Sequence, residues 1–122
     1  IEGTNVSGCT PSRPVPLLHV AGTADRVVPY GGGGSTIGTL LASGSFPPVE
    51  SSMASLAAAA RCDRHPTTTT DGAAGVRTRR WTGCGDGATV QLDTVDGLGH
   101  DYPTGEPYDA TDAIIGFFGL AG

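Results

Sequence analysis

The sequence contains no lysine: all seven of its basic residues are arginines, set against twelve acidic ones for a formal net charge of -5. That balance offers no basic stripe to neutralise a run of phosphates, so nucleic acid is not an expected partner. Long apolar runs are lacking too. None approaches the roughly 20 residues that a membrane-spanning helix needs, and no membrane partner is expected. The opening Ile1-Glu2-Gly3-Thr4 has neither an initiator methionine nor the charged and apolar regions of a signal peptide. It reads as the start of a truncated product whose upstream part held any targeting signal.

What is present suits one modest core. A chain of 122 residues with 38% hydrophobic content is expected to be one domain or a piece of one. Twenty glycines and nine prolines make it turn-rich, yet the apolar segments are spaced well enough for a folded chain. The three cysteines, Cys9, Cys62 and Cys84, lie in polar or glycine-rich settings, which favours bridges over buried thiols. Cys62 with Cys84 is the expected pair. Cys9 is then left to a partner upstream or to a free thiol. Asn5-Val6-Ser7 fits the N-glycosylation pattern but reads more simply as a turn.

Along the chain, Val15-Pro16-Leu17-Leu18-His19-Val20-Ala21 is a short apolar run between Pro14 and Gly22, as expected for a parallel strand covered on both faces. Residues 25–45 read as a long irregular connection. A helix is expected from Pro48 to about Arg61, with Met53, Leu56, Ala57 and Ala60 on one face. His65 to Gly72 reads as linker, and Val76–Trp81, alternating arginine with other residues, as a charged edge strand. Turn residues from Gly83 to Gly87 lead to a strand marked by Val90, Leu92 and Val95, antiparallel to the arginine strand. A last helix starts near Asp109, which can cap it, with Ile114, Ile115, Phe117 and Phe118 toward the core. The order predicts an α/β fold with a mostly parallel sheet, an antiparallel edge hairpin and covering helices.

If the strands ending near Gly22 and Val95 are parallel, the loops after them leave at the same edge and Asp25 can meet His100. A carboxylate after one strand and a histidine after a later one is the arrangement that orients an imidazole and stabilises its protonated form in acyl transfer. The order acid then histidine agrees with the Ser…Asp…His order of α/β-hydrolases.

The segment from Pro14-Val15-Pro16 through His19-Val20-Ala21-Gly22-Thr23-Ala24-Asp25-Arg26-Val27-Val28-Pro29-Tyr30 and the segment Gly97-Leu98-Gly99-His100-Asp101-Tyr102-Pro103 resemble the acid-loop and histidine motifs of the polyhydroxybutyrate depolymerase and feruloyl esterase family. The resemblance continues through Arg61-Cys62, the run Thr67 to Thr70, Trp81-Thr82-Gly83-Cys84 and Asp109-Ala110-Thr111. It implies that residues 1–122 are the carboxyl-terminal portion of one α/β-hydrolase catalytic domain. It further implies a secreted serine esterase without metal or organic cofactor, Asp25 as triad acid and His100 as base. Its partners would be an ester substrate, a polyester or a plant-polysaccharide ester, and the missing amino-terminal part of the domain. Leu98 stands where the family has glycine, Tyr102 where it has tryptophan, and Val20-Ala21-Gly22 where it has a His-Gly pair before the threonine. No Gly-x-Ser-x-Gly elbow occurs; Ser7, Ser35 and Ser55 all lack that setting, so the chain alone is expected to be inactive.

Other readings compete. Tyr30 and Tyr102 are candidate substrate-binding aromatics, though aromatics beside prolines often only pack. His19 reads as a core histidine and His65 as a loop residue. Cys62 and His65 have a metal-like spacing but no second pair, so no metal site is expected. Asp93 and Asp96 read as solvated, and Asp101 as too close to His100 to serve it. The rival function is a non-catalytic, disulfide-stapled secreted module that binds through Tyr30 and Tyr102.

Overall fold

A computed structural model describes residues 14–33 and 47–119. The described elements are β1 (Leu17–Gly22), α1 (Val49–Ala59), β2 (Thr67–Asp71), β3 (Val76–Trp81), β4 (Val90–Val95) and α2 (Ala110–Phe118), with a single 3-10 turn at Gly85–Gly87. The strands form one sheet in the order β1-β4-β3-β2. β1 pairs with β4 in parallel, while β3 pairs antiparallel with both β4 and β2. The sheet is therefore mixed, where a mostly parallel one was expected. Cys9, the Asn5-Val6-Ser7 pattern and the greater part of the 25–45 connection lie outside the described residues.

β1 begins two residues later than the apolar run suggests. Pro14 and Pro16 have no N–H to give a ladder, and the first bond runs from the Leu17 amide to the Thr89 carbonyl at 2.9 Å. From Leu17 onward side chains alternate between two faces. Ala21 joins Val90, Leu92 and Trp81 under α1, against Val49, Met53, Ala57 and Ala60. Leu18, Val20 and Val95 meet Ile114, Phe117 and Tyr108 on the opposite face. Both faces of the β1-β4 centre are covered, and the polar residues that β4 carries there, Gln91, Asp93 and Thr94, are buried with it. His19 is fully buried there and His65 is an exposed loop residue, as expected.

Two expectations are corrected at the other end of the sheet. The threonine run read as linker is strand β2, every residue of it exposed. β-branched residues favour extended backbone even without an apolar face, and β2 with β3 closes a hairpin over residues 72–75. β3, expected at the edge, therefore lies inside, and its arginines have partners on both faces. Arg77 and Arg79 reach Glu50 of α1, and Arg80 donates to Gln91 of β4 at 2.8 Å.

α1 starts behind Pro48, whose φ of -55° suits a helix entrance. Its end is tied by the Cys62–Cys84 disulfide to the segment before β4, beside backbone bonds from Asp63 to Thr82 and from Gly85 to Ala60. Asp109 caps α2 as expected: its side chain accepts from the Asp112 and Gly105 amides at 3.1 and 2.8 Å. Those bonds hold its carboxyl below the ordinary range, the Gly105 amide first. Ile115 and Phe118 do not face the core as expected but are exposed. Ala110, Ala113, Ile114 and Phe117 already fill the helical stripe against the sheet, and the other two sit off it. Among the described residues no helix is long and apolar enough to cross a membrane.

Candidate active site

Because β1 and β4 are parallel neighbours with Gly22 opposite Val95, the chain leaves both strands at one edge of the sheet. The two exits are stitched together. The Thr23 amide donates to the Val95 carbonyl at 3.2 Å and the Ala24 amide to the Leu98 carbonyl at 3.0 Å. Thr23 also donates its hydroxyl to Asp96 at 3.1 Å and accepts from the Gly97 amide at 2.8 Å. Gly22 makes the approach possible, since a Cβ there would stand 2.0 Å from the Leu98 carbonyl oxygen.

Asp25 sits in the first of these loops with its side chain 1% exposed. Its Oδ1 accepts from the amides of Val27 and Val28, both at 2.8 Å, an Asx-type turn that sets the carboxylate's orientation. Its Oδ2 lies 2.9 Å from Nδ1 of His100, in the second loop. The His100 side chain is 44% exposed. Two backbone donors favour the ionised carboxylate, and an ionised carboxylate only accepts, so Nδ1 of a neutral His100 carries the proton and Nε2 the lone pair. The arrangement is a buried anion orienting a solvent-facing imidazole as a proton acceptor, with a counter-charge in place once it protonates.

The structure brings Asp25 and His100 together and places the other named residues elsewhere. The ring of Tyr30 packs against the core under α1, and its hydroxyl is engaged with Thr94 at 2.8 Å, Glu50 at 3.1 Å and Arg77 at 3.1 Å. Tyr102, about half exposed, bonds Thr111 of α2 at 2.8 Å. Cys62 is in the disulfide and so holds no thiolate for a metal. Asp96 and Asp101 are exposed, but Asp93, expected in solvent, is 3% exposed. Its carboxylate accepts from Thr78 at 3.0 Å, Gln91 at 2.9 Å and the Tyr108 hydroxyl. Burial, and then the bond and the charge of Asp93, push the Tyr108 phenol well above its ordinary range. Neither the close approach that Gly22 permits nor the role of Tyr108 follows from the sequence alone. Gly22 carries a faint signal as a glycine ending an apolar strand; the Asp93–Tyr108 bond has none, since its partners meet only through the fold.

Comparison with family models, with curated proteins and with solved structures gave no match to this chain.

Proposed function

We propose that Asp25 and His100 are the acid and base of a serine-esterase triad of the α/β-hydrolase class, in a protein resembling the polyhydroxybutyrate depolymerases and feruloyl esterases. The observation that carries the reading is the 2.9 Å contact between a buried carboxylate, fixed by two amides, and a half-exposed histidine. A non-catalytic binding module gives no reason for that contact. The nucleophilic serine is supplied from outside these 122 residues. His100 takes the serine proton at Nε2 as the hydroxyl attacks the ester carbonyl, and Asp25 stabilises the imidazolium. His100 then protonates the leaving alcohol, and water, activated by the same imidazole, releases the acyl group. The substrate is a carboxylic ester, of a hydroxyalkanoate polyester or of a plant polysaccharide. The Cys62–Cys84 bridge fits a secreted protein, since such bonds persist in oxidising compartments.

The test is hydrolysis of a p-nitrophenyl acyl ester, and labelling by a fluorophosphonate, using this chain alone and the longer protein that contains it. The chain alone is expected to be inert, and the longer protein to lose about 10^4-fold in kcat on D25N or H100A. Ester hydrolysis by the longer protein that neither substitution affects would overturn the reading.

A further inference from the structure

Two loops must hold their places for Asp25 and His100 to touch, and each sends one tyrosine hydroxyl back to the same strand. Tyr30 lies in the connection that carries Asp25, five residues beyond it. Its hydroxyl bonds Thr94 of β4 on the face covered by α1, with Glu50 and Arg77 closing round it. Its carbonyl accepts from the Val49 amide at 2.9 Å, so the same residue fastens the loop to the first turn of α1. Tyr108 ends the loop that carries His100, just before the Asp109 cap of α2. Its hydroxyl donates to Asp93 of β4 on the opposite face. Asp93 and Thr94 are consecutive, and alternation along a strand turns them to opposite faces. Both are buried, so neither bond is exchanged freely for water.

We infer that Tyr30 and Tyr108 are positioning residues, clamping the acid loop and the histidine loop to adjacent residues of β4 from opposite faces and so fixing the Asp25–His100 distance. The inference rests on the Asp25–His100 pair being functional, but its parts are separable. Asp93 and Arg77 have roles of their own in holding the clamps: Asp93 is steadied by Thr78 and Gln91 from its own face, and Arg77 ties Tyr30 to Glu50 at 3.0 Å. A tyrosine that merely filled space would serve as well without its hydroxyl, because phenylalanine keeps the ring and its packing.

The measurement is the titration of the His100 ring followed by NMR in the chain itself, in D25N, Y30F and Y108F, with near-ultraviolet circular dichroism to check the fold. D25N removes the charge beside the ring and is expected to lower the titration midpoint by about one pH unit. Y30F and Y108F, still folded, are expected to lower it by roughly half as much, because a loosened pair spends part of its time apart. Thr94→Val releases Tyr30 from the strand side and should reproduce Y30F, while Thr94→Ser, which keeps the hydroxyl, should titrate like the parent. If D25N shifts the midpoint while Y30F, Y108F and Thr94→Val titrate like the parent, the clamps are structural only and the inference fails. If D25N itself changes nothing, the pair fails, and the functional reading with it. Should either phenylalanine variant not fold, Thr94→Val against Thr94→Ser decides.

Discussion

Gly22→Ala is the smallest change that should pull the candidate site apart. The added Cβ would lie 2.0 Å from the Leu98 carbonyl oxygen, 2.6 Å from its carbon and 2.8 Å from its Cβ, where ordinary contact begins at 3.4 Å. Two of these atoms are backbone, so no rotamer change relieves the overlap, and the loop must retreat by roughly 1.4 Å. The Ala24–Leu98 bond, now 3.0 Å, would then exceed hydrogen-bond length. Forced overpacking costs about 1–3 kcal/mol and the lost bond about 1 kcal/mol more. Those figures correspond to a fall in Tm on the order of 10 °C for a domain of this size. Urea and thermal unfolding measure the loss. His100 titration in the same variant should move in the direction of D25N, because His100 lies two residues beyond the displaced Leu98. A G22A protein with the parent's urea midpoint and an unchanged His100 titration would refute the packing argument.

Met53 of α1 is completely buried against the sheet, and Met53→Ala is expected to cost about 2–5 kcal/mol in denaturant unfolding. Cys62→Ser opens the Cys62–Cys84 loop, whose ends are 22 residues apart, and should lower stability by about 3 kcal/mol, with reductant giving the same loss in the parent and none in the variant. Tyr108 keeps its proton in the fold because burial, and then Asp93, raise its pKa. The unfolded chain ionises it near pH 10, so this contribution is complete below about pH 10 and declines as the pH rises further. Y108F should therefore show a shallower alkaline loss of stability between about pH 9 and pH 11 than the parent. For Asp109, whose carboxyl is lowered by the Gly105 and Asp112 amides, the sign reverses: its contribution is present above about pH 4 and is lost as the pH falls through the folded value. D109A should weaken α2 by circular dichroism at pH 7 and flatten that acid loss.

Much of this arrangement is legible from local pattern. The apolar run at Leu17–Gly22, the alanine-rich helix α1 and the Asp109 cap each announce themselves within a few residues. The Asp25–His100 meeting is legible because parallel strands send their loops to one edge, and β1 and β4 are parallel neighbours. What escaped was decided by contacts distant in sequence. β2 has no apolar face, so period-two alternation was absent and only the β-branched threonines pointed to a strand. Once β2 covers the far side of β3, the arginines that read as edge protection become the links to Glu50 and Gln91. Asp93 looked solvated because Tyr108, which makes its burial tolerable, lies fifteen residues away. Ile115 and Phe118 looked like core because the apolar stretch at the end of α2 is wider than the stripe the sheet can cover.

His100 can serve as the base at Nε2 only if Nδ1 holds the proton, and nitrogen-15 NMR of the ring in the neutral form reads that out. A proton on Nδ1, with a strongly downfield resonance that D25N abolishes, is the predicted result: it leaves Nε2 as the base. A proton on Nε2, or an Nδ1 resonance indifferent to D25N, would contradict the pair and the esterase reading built on it.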